Sequence, residues 1–168
     1  MRIVIDTNVF VSSFFGGIPR QIIDHWFSGK LILCVSRPIL KESFDVLGRF
    51  QFDRGDFFGR LITAFERGPN ILFVDNPREE NWIEDDPADN KFIACAISLH
   101  AEYIVSGDLP RPAESPVIYH GDECCKSGGT PMPRVLTRGR GLHLKRAGKI
   151  GNVEIVPPRE MLSLIETG

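Results

Sequence analysis

The sequence contains no hydrophobic run long enough to cross a lipid bilayer, so we expect no transmembrane helix. The apolar run after Met1 and Arg2 is also too short for the core of a secretory signal peptide, which favours a cytoplasmic protein. Cysteine is scarce: the chain of 168 residues has four. Four cysteines do not make a disulfide framework in a chain of this size. Cys34 and Cys95 lie in apolar segments and are predicted to be buried thiols.

Acidic residues are missing from the long stretch between Cys124 and Val153, which carries seven bases. By contrast, Asp75 to Asp89 holds seven acids and a single base. An acidic locus and a basic stretch in one small domain suggest a metal-binding site beside a surface for a polyanion. The alternative is that both are ordinary solvated faces. The seven bases are Lys126, Arg134, Arg138, Arg140, Lys145, Arg146 and Lys149.

Short apolar runs alternate with segments of helical periodicity along most of the chain. This alternation predicts one α/β domain over residues 1–168 with a parallel sheet. The exception is 109–140, which is rich in proline and glycine, has no sustained periodicity and is typical of a functional or disordered loop. The predicted strands are 2–6, 31–36, 71–74, 102–106 and 153–157, and the predicted helices include 18–27, 56–67 and 91–99.

Four acidic residues fall where the predicted elements deliver side chains to one edge of this sheet. Ligands of an open parallel sheet bind beyond the carboxyl ends of its strands. Asp6 ends the first strand and Asp108 follows the fourth. Glu42 lies one turn into the helix after the second strand, and Asp89 stands where the acidic loop enters a helix. The four acids are therefore predicted to meet on one face.

Carboxylates this close together do not all stay ionised unless a cation joins them. Mg²⁺ and Mn²⁺ take oxygen ligands of this kind, lower the pKa of a bound water and stabilise an in-line displacement at phosphorus. Asp6 is predicted to be a metal ligand, since an isolated carboxylate at the end of a core strand is costly. The alternatives are a helix cap at Asp6 or Asp89, a solvated helix position at Glu42 and a turn residue at Asp108.

The chain resembles the PIN domain, a small metal-dependent nuclease fold, over nearly its whole length apart from 109–140. It is particularly similar to PIN proteins identified as toxins of bacterial and archaeal toxin–antitoxin pairs. The resemblance implies a three-layer α/β/α fold with a central parallel sheet. It rests on IVIDTNVFVSS at 3–13, SRPILKE at 36–42, DDPADNKFIACAISLHAEYIVSGD at 85–108 and VEIVPPREML at 153–162.

The same resemblance implies an endoribonuclease that hydrolyses RNA phosphodiester bonds with Mg²⁺ or Mn²⁺ as cofactor. By position, the catalytic and metal-binding acids are Asp6, Glu42, Asp89 and Asp108. Asn8 corresponds to the polar neighbour that orients Asp6 or the substrate. The implied partners are RNA, a second copy in a homodimer and, for a toxin, a cognate antitoxin that holds the enzyme inactive.

The chain departs from the family after Asp108, where relatives continue with a further acid and two leucines. The sequence from Gly141 resembles the displaced continuation, which predicts an insertion at about 109–140. This departure keeps a second hypothesis open, a catalytically impaired PIN-fold module that binds RNA or protein. A third, a hydrolase of small phosphate compounds, is disfavoured because the basic stretch suits long polyanions.

Basic residues in and after the insertion are predicted to bind the substrate. They lie on a glycine- and proline-rich stretch suited to clamping RNA phosphates beside the metal, which would make binding salt-dependent. The alternatives are a solvated loop and a surface for a protein partner. A zinc site in HGDECC at 120–125 is disfavoured, since adjacent cysteines rarely ligate one ion. The predicted substrate-binding bases are Arg134, Arg138, Arg140, Lys145 and Arg146.

Overall fold

The computed structural model of the protein describes residues 1–49, 56–68, 70–78, 80–83, 87–107 and 149–168. The predicted insertion at about 109–140 lies outside these residues, so it stays a prediction. In the part of the chain that the structure describes, no helix is long and apolar enough to span a membrane. The predicted site residues that fall outside the described part are Asp108, Arg134, Arg138, Arg140, Lys145 and Arg146.

Six described strands form one sheet: β1 (Arg2–Ile5), β2 (Ile32–Ser36), β3 (Ile71–Val74), β4 (Tyr103–Val105), β5 (Lys149–Ile150) and β6 (Val153–Val156). Their order across the sheet is β3-β2-β1-β4-β6-β5. All neighbouring pairs are parallel except β5 and β6, which pair antiparallel. The predicted parallel sheet is therefore confirmed, with an antiparallel edge strand that the sequence did not indicate.

Helices cover both faces of this sheet, as the predicted α/β/α fold requires. The described helices are α1 (Thr7–Ser13), α2 (Gly17–Phe27), α3 (Arg37–Leu47), α4 (Asp56–Arg67), α5 (Asn90–Ser98) and α6 (Pro158–Thr167). A short 3₁₀ turn, Pro87–Asp89, leads into α5. The sequence periodicity predicted most of these helices but gave no indication of α1.

Side chains of β1 alternate between two hydrophobic cores. Ile3 and Ile5 belong to a core that also contains residues of α1, α2, α4 and α6. Val4 points to the other face and packs in a second core with Phe92 and Ile93 of α5. Because both faces are covered, β1 reads as a continuous apolar run. Cys34 and Cys95 are both fully buried in the second core, as predicted.

The strand order reverses between β1 and β4, since the chain proceeds from β1 towards β2 and β3 on one side and returns to β4 on the other. Open α/β sheets bind ligands at such a reversal, beyond the carboxyl ends of the strands. Ile5 pairs with Val105, and the N–H of Asp6 donates to the carbonyl of Val105 at 2.9 Å. The residues that follow β1 and β4 therefore begin side by side.

Helix α5 runs antiparallel to β1. Arg2, at the start of β1, donates from Nη1 to the carbonyl of Leu99, just beyond the end of α5, at 3.4 Å. The nine residues of α5 and the four of β1 each span about 13 Å. The first turn of α5 therefore lies at the edge where β1 ends, and Asp89 is delivered to the same edge as Asp6.

Candidate active site

Asp6 directly follows β1, and only 4% of it is exposed. Its Oδ1 accepts a hydrogen bond from the backbone N–H of Asn8 at 3.1 Å. Its Oδ2 accepts one from the hydroxyl of Ser106 at 3.0 Å. A carboxylate has roughly four lone-pair positions, so accepting these two bonds does not by itself exclude a metal ion. Asp6 is thus the N-cap of α1, and this capping role is compatible with metal binding.

The sequence interpretation missed Ser106, which it treated only as part of a turn. Ser106 is fully buried, and its backbone N–H donates to the carbonyl of Val156 at 3.1 Å. Its hydroxyl therefore holds the Asp6 carboxylate from a fixed position on the neighbouring strand. The backbone N–H of Asn8 also donates to Asp6, whereas the predicted role of the Asn8 side chain, to orient Asp6 or the substrate, stays a prediction. The sequence did offer one indication of the Ser106–Asp6 contact, which is that a polar residue directly follows each of these two buried strands.

Glu42 lies in α3, and its carboxylate is bound by Lys91. The Lys91 Nζ is 2.5 Å from Glu42 Oε2, and the two side chains are 12% and 32% exposed, respectively. The same Nζ donates to the carbonyl oxygen of Ala88 at 2.7 Å. The sequence interpretation did not single out Lys91. The described part of the site therefore contains a fixed ammonium group as well as carboxylates.

A pair of buried hydroxyls joins the start of α1 to α3. Thr7 Oγ1 lies 3.3 Å from Ser43 Oγ, and both residues are buried. Thr7 follows Asp6 in the chain, and Ser43 follows Glu42. The contact therefore fixes the backbone segments that carry these two acids beside each other.

Asp89 ends the 3₁₀ turn and occupies the N-cap position of α5. It is only 4% exposed, yet its side chain makes no capping hydrogen bond. Its φ of −82° and ψ of −16° are helical, whereas a capping residue is normally extended. The interpretation of Asp89 as a mere helix cap therefore loses support. A buried carboxylate at a helix N-terminus is favoured by the helix dipole.

Asn90, which the sequence interpretation also missed, ties the acidic segment to α5. Its Oδ1 accepts from the backbone N–H of Ile83 at 2.9 Å, and its Nδ2 donates to the carbonyl of Ile83 at 3.2 Å. The Asn90 side chain thus satisfies both backbone polar groups of Ile83, as a strand partner would. This double hydrogen bond holds the chain on both sides of Asp89.

The structure brings Asp6 and Asp89 to one edge of the sheet and ties Glu42 to Lys91. Asp108 follows Ser106 by two positions in the sequence and lies outside the described residues. Among the residues that the structure describes, no three histidine, cysteine or acidic side chains group closely enough to hold a metal ion. The donor chemistry fits Mg²⁺ or Mn²⁺, because such ions bind through one or two carboxylates and keep several waters.

Comparison with known proteins places these residues in a family context. The PIN domain matches residues 2–109, which include all four predicted acids. An uncharacterized protein of Methanocaldococcus jannaschii is 34% identical over 114 residues, which cover 64% of this chain and 71% of that protein. No solved structure matches the chain.

Proposed function

Because this chain belongs to the PIN domain family, whose members are generally nucleases, we propose that it is a metal-dependent endoribonuclease. The reaction would be hydrolysis of RNA phosphodiester bonds with Mg²⁺ or Mn²⁺. One observation carries the proposal: Asp6, 4% exposed, follows β1 at the strand reversal and is oriented by Ser106. A buried carboxylate fixed in this way is suited to holding a divalent cation.

In this proposal, Asp6, Asp89 and Asp108 hold the cation, and Glu42 completes the acidic set. When bound, the cation would lower the pKa of a coordinated water and neutralise charge that develops on the phosphate. Ser106 holds Asp6 in one orientation, since its hydroxyl donates to Oδ2. Asn90 holds the segment around Asp89. These contacts preorganise the ligands, which is how a site avoids reorganisation during the reaction.

The RNA would be held by the basic stretch that follows Asp108. Its bases would contact phosphates beside the acidic site and position the strand across it. The proposed contacts are Arg134, Arg138, Arg140, Lys145 and Arg146. Asn8, half-buried at the start of α1, would contact the substrate next to Asp6.

The test is cleavage of a mixed pool of labelled RNAs by the wild type and by Asp6→Asn, with Mn²⁺ and with EDTA. Asparagine is as good an N-cap as aspartate, so Asp6→Asn should keep α1 and change the free energy of unfolding by less than about 1 kcal/mol. Cleavage that is lost both in the variant and in EDTA supports a metal nuclease. Cleavage that persists in folded Asp6→Asn would refute the assignment of Asp6.

A second candidate is a catalytically impaired PIN-fold module that binds RNA or protein. The observation that favours it is the Lys91 ammonium at Glu42, where an active site with two metal ions would need an available carboxylate. Calorimetric titration with Mn²⁺ separates the two candidates. The impaired module should bind RNA without binding Mn²⁺, whereas the nuclease should bind the ion even without RNA.

We further propose that the nuclease is the toxin of a toxin–antitoxin pair, acting on cytoplasmic RNA as a homodimer restrained by an antitoxin. The support is the resemblance to PIN toxins. Induced expression of the wild type should arrest growth, and expression of Asp6→Asn should not. Equal growth with both proteins, in a host where the wild type is shown to cleave RNA in extracts, would argue against the toxin role.

A further inference from the structure

Lys91 is a cation built into an acidic site. Its side chain is only 12% exposed, although lysine is almost never buried unless it is paired. Its Nζ contacts Oε2 of Glu42 and the carbonyl of Ala88, and lies 4.7 Å from the centroid of the Phe92 ring. The ammonium thus makes three contacts with described residues.

The place of Lys91 in its helix makes this arrangement unusual. Lys91 is the second residue of α5, and a positive charge in the first turn of a helix is disfavoured by the helix dipole. Neither helix formation nor solubility explains a lysine there whose side chain is only 12% exposed. The carboxylate of Glu42, which comes from a different helix, is the described group that compensates its charge.

The Lys91–Glu42 distance has a direct implication for metal binding. A divalent ion such as Mg²⁺ binds a carboxylate oxygen at about 2.0–2.1 Å. The ammonium nitrogen, at 2.5 Å from Oε2, occupies one of the roughly four lone-pair positions of this carboxylate and offsets the negative charge that would attract a second ion. A second divalent ion at Glu42 would also meet the like charge of Lys91.

We propose that Lys91 takes the place of a second metal ion, so that the site binds a single divalent cation beside Asp6 and Asp89. This inference rests on the proposed function, because it assumes that these acids bind a metal. Lys91 is then a positioning residue for Glu42 and supplies the fixed positive charge that a second ion would supply. Glu42 holds the ammonium and is not a ligand of the single ion.

The experiment measures how many Mn²⁺ ions bind per chain by calorimetry, for the wild type, Lys91→Met and Lys91→Arg. Methionine keeps most of the side-chain volume and removes the charge, whereas arginine keeps the charge. We expect one ion for the wild type and for Lys91→Arg, and two for Lys91→Met. Adding Glu42→Gln to Lys91→Met should remove the second ion. Lys41→Met, an exposed change at the position before Glu42, is the matched control and should bind one.

The alternative outcomes separate the inference from the proposed function. Two ions on the wild type, or one ion on a folded Lys91→Met, would overturn the role of Lys91 and leave the nuclease intact. If Lys91→Met does not fold, two ions on folded Lys91→Gln support the inference and one ion overturns it. No ion on any of these proteins would overturn both proposals.

Discussion

The hydroxyl of Ser106 donates to Oδ2 of Asp6 at 3.0 Å, although the two residues are 100 positions apart in the sequence. The bond exists because β1 and β4 are parallel neighbours whose carboxyl ends meet at the same edge. It fixes the carboxylate that we propose as a metal ligand. Groups that orient metal ligands in this way usually matter nearly as much as the ligands themselves.

Ser106→Ala should therefore weaken Mn²⁺ binding by about 10- to 100-fold. The expected loss of stability is small, about 1 kcal/mol for one hydrogen bond. Calorimetry measures the first quantity and urea unfolding the second. Ser13→Ala is the matched control, because Ser13 is also fully buried and its hydroxyl also makes one hydrogen bond, to the carbonyl of Phe10. An equal loss of Mn²⁺ affinity in both variants would contradict a specific role for Ser106.

Asn90→Ala should destabilise the protein strongly for a single polar substitution. It removes the partners of the N–H and carbonyl of Ile83, a residue that is only 6% exposed. Each buried backbone group left without a hydrogen bond costs about 1–3 kcal/mol. Urea unfolding should show this loss, and limited proteolysis should show earlier cleavage near Ile83.

The control for that substitution is Asn76→Ala, since the Asn76 side chain is exposed and makes one long hydrogen bond, to Asp75 at 3.4 Å. Its free energy of unfolding should change by no more than about 0.5 kcal/mol. Similar values for the two variants would show that Asn90 does not hold the acidic segment.

The buried thiols should be unreactive in the folded protein. Burial raises the pKa of the Cys34 thiol to about 11 and that of Cys95 to about 12. At a pH of about 8 both thiols are therefore protonated, and the thiolate is the reactive form. Peptide mapping after alkylation should find Cys34 and Cys95 unmodified in buffer and modified in denaturant. Rapid modification of either residue without unfolding would contradict the burial.

The same pKa shifts set the sign of a stability change at high pH. Below the ordinary thiol pKa of 9.0 these thiols are protonated in both the folded and the unfolded state. They therefore cause no change of the free energy of unfolding with pH in that range. Above it the unfolded thiols lose protons before the folded ones, and stability falls until the folded thiols ionise as well.

RNA binding should depend steeply on salt if the basic stretch contacts phosphates. The slope of log K against log salt concentration is about −0.7 per neutralised phosphate of a single strand. Replacing Arg134, Arg138 and Arg140 by alanine should therefore make the slope less steep by about 2. The control replaces three exposed bases elsewhere, Lys30, Arg49 and Arg159. An equal change of slope in both variants would mean that RNA binding responds to the net charge of the protein and not to phosphate contacts made by the basic stretch.

The sheet and the edge that carries Asp6 could be predicted because they depend on local patterns. Buried parallel strands are short apolar runs, and the residue that ends β1 can be read directly from the sequence. Helix α1 was missed because its seven residues are too few for helical periodicity to be recognised. Strand β5 was missed because it has only two residues.

The site contacts could not be predicted in the same way, because each joins residues far apart in the chain. Ser106 bonds Asp6 across neighbouring strands, and Lys91 pairs with Glu42 across two helices. The apolar periodicity of a sequence indicates local secondary structure and does not indicate contacts between distant side chains. The sequence could indicate which acids share an edge, but not which polar groups hold them or that one of them already has a cation.

The most direct test of the central claim is anomalous X-ray scattering from crystals of the protein soaked in Mn²⁺. The expected result is a peak within coordination distance, about 2.0–2.3 Å, of carboxylate oxygens of both Asp6 and Asp89. Asp6→Asn crystals should lack the peak. A peak elsewhere, or no peak in wild-type crystals with these carboxylates ordered, would contradict a metal site at the carboxyl edge of β1.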